Sequence, residues 1–351
     1  MSNYRKWVHR TLMLILALLL GIMISNFVVD PFQHFRKASF YRTYFKEERY
    51  LNPGIAKTFE YDTVIVGSSM IQNFRPSAVD SILNTVSVKL PIPGSSAYEQ
   101  SLTLDTALRT GKVRRVLFGL DLFSFKGAPK RLSGGEGSIP FYLYDDDPFN
   151  DLKYLLSLDT LIFYKYIIRS TLAGRDARKL EMDNYGYWGD RFDFGSVQVL
   201  EDWKTGNFNK NAVTADFSVK VLKESFDANF LDHFRANPEV RFDLFFPPYS
   251  VLVWLDCREK GLLDDFLLFK QYVVSAVANL DNVQVFDFQA EEKIIADLGN
   301  YKDVSHYSPA INELMTRAIA ENEYRVDPRS IEAINDRLRA LIADASIRYL
   351  H

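Results

Sequence analysis

From Thr11 to Val29 the chain runs nineteen residues without a charge (TLMLILALLLGIMISNFVV). As a helix rising 1.5 Å per residue it reaches about 28 Å, close to the ~30 Å hydrocarbon core of a bilayer. Arg5, Lys6 and Arg10 precede it, with Trp7 as an interfacial anchor. The run exceeds the 7–15 residues of a typical signal-peptide core, and no small-x-small cleavage site comes after it. We therefore read residues 1–30 as a cytoplasmic tail and an uncleaved signal anchor. Arg36, Lys37 and Arg42 lie soon after the span and nearly balance the flanking charge. The short basic tail staying in the cytoplasm is the simpler arrangement, leaving the rest of the chain extracytoplasmic, periplasmic or at the cell surface. Residues 31–57, basic and aromatic, are read as a juxtamembrane linker.

The remainder of the chain is long enough to fold around a core. The chain has 351 residues, 47% hydrophobic and 25% charged, which excludes wholesale disorder. Lys and Arg number 42 against 45 Asp and Glu, so there is no basic excess for general nucleic-acid binding. A single cysteine, Cys257, excludes an internal disulfide and any cysteine-rich metal site.

Beyond about residue 58, strand-like and helix-like stretches alternate. Strands are expected at Tyr61–Val66, Val86–Ile92, Val113–Leu122, Arg241–Phe246 and Val283–Phe288. Helical patterns fall at Tyr98–Arg109 and at about 216–236, 262–280, 308–322 and 329–348. Such alternation implies an α/β fold, a parallel sheet of about five strands covered on both faces. One domain is expected over 58–327, with a C-terminal helix over 328–351. Residues 124–215, aromatic and loop-rich, read as a large insertion over the ligand edge, as a lid or a substrate platform.

Ligands of such sheets bind beyond the carboxyl ends of the strands. The first strand ends in Gly67-Ser68-Ser69-Met70, the second in Pro93-Gly94-Ser95-Ser96, and the third contains Gly119-Leu120-Asp121. A serine on a strand-to-helix turn has backbone N–H groups nearby to hold an oxyanion, but it needs a base. Of five histidines, His9 and His34 flank the span, His351 is terminal and His233 falls in a helical pattern. Only His306 sits in a loop after the last strand, three residues beyond Asp303. That spacing lets the carboxylate hold the imidazole while its other nitrogen faces a serine. Alternatively, Asp303 caps a helix starting near Ser308.

The order Gly67-Ser68-Ser69-Met70, Gly94, Gly119-Leu120-Asp121 and Asp303-Val304-Ser305-His306 resembles the block pattern of the SGNH (GDSL-type) hydrolases. The likeness covers the sheet-forming parts of roughly 58–322, in short and degenerate blocks. It implies a flavodoxin-like three-layer fold, Ser69 as nucleophile, and Asp303 and His306 as its partners. It also implies an oxyanion hole from the Ser69 and Gly94 N–H groups, and no cofactor. The anchor, the second serine of the first block and Phe246-Pro247-Pro248-Tyr249-Ser250 resemble membrane-tethered bacterial members that modify envelope polysaccharides. For those the likeness implies an acylated glycan as substrate and a membrane-bound O-acyltransferase as partner. Asp121 departs from the pattern, standing where the family has an asparagine that donates to the oxyanion; an ionised carboxylate cannot donate. It is expected to be protonated, to turn toward a helix N-terminus, or to bind a sugar hydroxyl. Asn73 is a candidate substitute donor, and Tyr249 a further site residue.

Other candidates have simpler explanations. Ser95 and Ser96 suit a turn and a helix cap. Asp145-Asp146-Asp147 suits a solvated acidic loop better than a divalent-cation site. Among Tyr185, Tyr187, Trp188, Tyr249 and Trp254, one or two at most are expected to stack on sugar rings. Lys112, Arg114 and Arg115 read as solvated surface. Two further function classes fit the same sequence. One is a non-catalytic scaffold that binds a glycan or docks an acyltransferase, which Asp121 favours. The other is a lipase or phospholipase with an acyl tunnel lined by the insertion.

Overall fold

Five short runs rich in Val, Leu, Ile and Phe pair side by side, and nearly every residue in them is buried: β1 (Thr63–Gly67), β2 (Ser87–Pro91), β3 (Arg115–Gly119), β4 (Arg241–Phe246) and β5 (Val283–Asp287). They are mutually parallel, and a sixth strand, β6 (Arg325–Val326), closes one edge antiparallel to β5. The sheet order is β2-β1-β3-β4-β5-β6. Val64 lies opposite Val88 on one side and Val116 on the other, and Leu244 lies between Phe118 and Val285. The expected all-parallel sheet of about five strands is thus a mixed sheet of six. Two residues are too few for the alternation that makes a strand readable, and β6 is held by pairing alone.

This computed structural model describes residues 2–39, 41, 44–172, 181–205 and 214–350. They form two compact units, residues 1–59 with 139–181, and residues 60–138 with 182–351. The sheet belongs to the second. Helices Ala97–Arg109, Leu263–Val277 and Pro309–Glu321 each turn a buried stripe inward. Ser96 starts the first of these with a full capping box, its side chain receiving the Glu99 N–H while Glu99 receives the Ser96 N–H. The helical pattern at 216–236 is three consecutive pieces, with a π-helical turn at Asp227–Leu231 between Val219–Phe226 and Asp232–Ala236. Helix Val251–Glu259, hidden in the sequence because six of its nine residues are buried, comes directly after β4. The C-terminal helix Ile331–Leu350 belongs to this unit: Leu338 and Ile342 are buried, and Asn335 donates to the Leu267 carbonyl at 3.2 Å.

The other unit begins with the N-terminal helix Ser2–Val29, long and apolar enough to cross a membrane. Residues 31–57, expected as a linker, supply this unit's core. Phe32, Tyr41 and Phe45 are buried, and Leu51 to Ala56 form the buried face of helix Glu48–Thr58. Residues 139–181 of the expected insertion lie here, so that insertion is divided between the units. Arg115, expected on the surface, is largely buried, its Nε donating to the fully buried Asp243 at 2.6 Å across β3 and β4. A lone carboxylate at that depth would be strongly disfavoured, so the neighbouring strand supplies its cation.

Candidate active site

Strand β1 stops at Gly67 because the chain must pass very close to its neighbours there. A Cβ at Gly67 would come within 2.9 Å of Ile71 Cγ2, and one at Gly119 within 2.8 Å of the same atom. Two glycines on adjacent strands let the Ile71 side chain drop onto the sheet. That folds the chain after β1 into a single 3-10 turn, Ser69–Ile71. Ser68 caps this turn, its Oγ accepting from the Met70 N–H at 3.3 Å. Ser68 is buried, and Ser69, the first residue of the turn, is half-buried. Among the described residues, neither the Ser69 nor the Gly94 backbone N–H has an acceptor. Gly94 has φ +63, the left-handed region that favours glycine, and open space where a Cβ would stand.

His306 Nε2 lies 2.9 Å from Ser69 Oγ. Its Nδ1 lies 2.8 Å and 2.9 Å from the two oxygens of Asp303. A carboxylate only accepts, so Nδ1 carries the proton and Nε2 presents its lone pair to the serine hydroxyl. The Asp303 carboxylate also accepts the backbone N–H groups of Ser305 at 2.9 Å and His306 at 2.8 Å, and the Lys302 ammonium at 2.5 Å. Burial alone would raise the Asp303 carboxyl; His306 and Lys302 overcome this and hold it well below the ordinary carboxylate range. Asp303 therefore serves the histidine. It does not cap the helix beginning at Pro309, whose N-cap is Ser308.

The loop carrying Asp303 and His306 is clamped at its base. Tyr301 and Tyr307 form a β-bridge, and the Lys302 N–H donates to the His306 carbonyl at 3.1 Å. Tyr307, buried, donates to the Met70 carbonyl at 2.6 Å, joining the histidine loop to the serine turn 237 residues away in sequence. Ser250, just after β4, donates to the Val304 carbonyl at 2.6 Å. Neither Tyr307 nor Lys302 stood out in the sequence. The signal available was the pair of tyrosines bracketing Asp303 and His306.

Asp121 caps another 3-10 turn, Leu122–Phe125, as one of its three expected placements required. Its Oδ2 accepts from Ser68 Oγ at 2.6 Å, and its Oδ1 accepts from Tyr249 at 2.6 Å and the Phe123 N–H at 3.2 Å. Burial and the neighbouring Asp121 push the Tyr249 phenol well above its ordinary value, so it remains a donor at neutral pH. Asn73 is buried; its Oδ1 accepts the Trp188 N–H at 3.2 Å. Its Nδ2 has no acceptor among the described residues. Trp188 stands edge-on to His306, with ring centroids 5.7 Å apart, and the Lys302 ammonium lies 4.8 Å from its ring centre.

The remaining candidates have structural work. Ser95 Oγ accepts from Gln100 at 2.9 Å. Tyr185, Tyr187, Tyr249 and Trp254 are buried, which leaves Trp188 as the partly exposed aromatic of that set. Asp145 and Asp147 accept from backbone N–H groups within their own turn, those of Asp147 and Phe149, each at 3.0 Å. His233 faces Ser101 at 3.3 Å. No protein-family model matches the chain, and a search of curated proteins finds no match.

Proposed function

We propose that this chain is a membrane-anchored serine acyl-ester hydrolase or O-acyltransferase of the SGNH type, acting on an acylated polysaccharide of the cell envelope. The observation that carries the reading is the unbroken relay from Ser69 through His306 to Asp303, at 2.9 and 2.8 Å. The order of the five parallel strands, 2-1-3-4-5, is that of flavodoxin-like sheets and supports the fold the resemblance implies.

In this reading His306 Nε2 takes the Ser69 proton as Oγ attacks the acyl carbonyl, and Asp303 stabilises the imidazolium. The free Ser69 and Gly94 N–H groups receive the oxyanion, and Asn73 Nδ2 is the third donor. Collapse of the tetrahedral intermediate breaks the bond to the leaving alkoxide, which takes the proton back from His306. The acyl-enzyme then passes its acyl group to water or to a sugar hydroxyl, deprotonated in turn by His306. The N-terminus lies in the cytoplasm, the catalytic unit outside it, and a membrane-bound O-acyltransferase is the partner.

The test is a fluorophosphonate probe on the full-length protein in detergent, with the adduct located by mass spectrometry. A phosphonyl adduct on Ser69, absent in Ser69→Ala and in His306→Ala, is expected. No adduct on a folded protein overturns the enzymatic reading and leaves a scaffold.

A further inference from the structure

The N-terminal helix carries a buried polar residue near its C-terminal end, and every hydrogen-bonding atom of that side chain is used. Asn26 Nδ2 donates to the carbonyls of Tyr154 at 3.3 Å, Leu155 at 2.9 Å and Ser157 at 2.8 Å. Its Oδ1 accepts from Thr160 and Tyr164, both at 2.7 Å. Ser25 adds a bond to the Tyr164 hydroxyl at 3.0 Å. These bonds pin residues 154–164 to the helix at the level of Ser25 and Asn26.

That level has a definite depth if the helix spans a bilayer. A hydrocarbon core of ~30 Å takes about twenty residues. The uncharged run begins at Thr11, immediately after Arg10. Twenty residues from there end near position 30, so Asn26 falls about 6 Å inside the hydrocarbon boundary. Asn26 therefore carries a polar group into the membrane, and the segment it binds supplies all its partners, as a low-dielectric setting demands.

The bound segment has the surface of something that meets lipid. Leu158 is 61% exposed, Ile162 53%, Ile168 56% and Leu172 82%. Helix Leu161–Leu172 buries Ile167 and packs Phe163 against Phe32 and Phe45, while Leu161, Ile162, Ile168 and Leu172 stay exposed. Water-facing surfaces rarely keep so many large apolar side chains together. Lys153, Lys165 and Arg169 are exposed among them. Arg36 binds the Phe27 and Val28 carbonyls at 2.5 and 2.7 Å, bringing another cation to the end of the span. Apolar side chains interleaved with basic ones suit the boundary between acyl chains and anionic headgroups.

We propose that residues 149–172 form a second membrane contact, lying in the bilayer interface against the C-terminal end of the N-terminal helix. The occupant of the exposed apolar face is lipid, because the segment is hydrogen-bonded to the C-terminal end of a helix whose own apolar side chains are exposed. The unit is then held by a helix and an interfacial collar together, which fixes its tilt and rotation where a single span would leave both free.

The test uses the full chain in nanodiscs of phosphatidylcholine and phosphatidylglycerol, containing no other protein. The one native cysteine, Cys257, is buried, so single-cysteine variants label selectively. An environment-sensitive fluorophore is placed at Leu158→Cys and Leu172→Cys. Val86→Cys, 55% exposed on the other unit, is the water reference, and Leu18→Cys, 65% exposed within the span, is the lipid reference. Blue-shifted emission at 158 and 172, quenched at least three-fold more than at 86 by lipids spin-labelled near the headgroup, is expected. Water-like emission at 158 and 172 with lipid-like emission at 18 overturns the collar and keeps the anchor; a protein partner would then cover that face. Water-like emission at 18 as well overturns both.

Discussion

The carboxylate of Asp121 accepts a hydrogen bond from Ser68 Oγ at 2.6 Å, which ties the end of β3 to the residue immediately before the serine turn. The same carboxylate holds Tyr249 at 2.6 Å. Asp121 therefore organises the strand ends, and both its oxygens are turned onto protein donors. A charge occupied in this way repels a developing oxyanion less than a free carboxylate would.

Asp121→Asn separates this role from that of a lost oxyanion donor. Three donors, from Ser68, Tyr249 and Phe123, now share two oxygens, and an amide offers one oxygen. Losing a buried partner costs about 1–3 kcal/mol, so chemical denaturation should show a loss of that size, with no gain in fluorophosphonate labelling rate. A faster rate would mean that asparagine restores a missing donor, and the organising role would be wrong.

Asn73→Ala tests the third donor. Removal of one oxyanion donor lowers rates by about 10²–10³-fold. Labelling per folded molecule should fall within that range. An unchanged rate together with a lower melting temperature would assign Asn73 to holding Trp188 alone.

Asp303→Asn should lower labelling on the order of 10⁴-fold, because an amide can donate to Nδ1 and so stabilise the wrong imidazole tautomer. A loss below ten-fold would show that His306 does not depend on Asp303.

Lys302→Met bears on acid stability. The Asp303 carboxyl is held low in the folded protein by His306 and Lys302 against the opposing effect of burial, so the folded state binds this proton less readily than the unfolded one. The stability this contributes is complete above the unfolded value of about 3.9 and is lost as pH falls through the folded one. Without Lys302 the folded value rises, and the acid-unfolding midpoint followed by circular dichroism should move to higher pH. An unmoved midpoint would show that the ammonium does not support the carboxylate.

Lys89 gives a pH dependence of the same sign in an alkaline window. Its buried ammonium donates to the carbonyls of Gln72 at 2.7 Å, Phe74 at 2.8 Å and Asp183 at 2.9 Å, holding the chain just beyond the serine turn. Burial pushes the amine down to about 7. Between that value and about 10.4 the unfolded chain binds more protons than the folded one, so this residue makes stability rise with pH. The difference in urea midpoint between wild type and Lys89→Met should widen from pH 7 to pH 9; a constant difference would contradict it.

The sequence carried its clearest information where a local rule is strict. The uncharged nineteen-residue run lies in one long apolar helix, Ser2–Val29, and β4 lies at the residues its apolar pattern indicated, Arg241–Phe246. The meeting of Ser69, Asp303 and His306 was legible because ligand sites of parallel sheets lie just beyond strand ends, and only one histidine lay there. Strand β6 and helix Val251–Glu259 were not legible, one being too short for a period and the other buried on too many sides.

The amino-acid order determined by itself the alternation of strands and helices, the apolar N-terminal helix and the short list of groups able to do acid–base work. Only the tertiary structure decided how those groups are arranged. Sequence spacing cannot say that Tyr307 reaches Met70, that Asp121 turns both oxygens onto Ser68 and Tyr249, or that Asn26 is satisfied by residues 154–164. These bonds join residues from 53 to 237 positions apart, and such contacts form only once the sheet and the N-terminal core have closed. Side-chain hydrogen bonds at that range depend on angles and distances that periodicity does not encode.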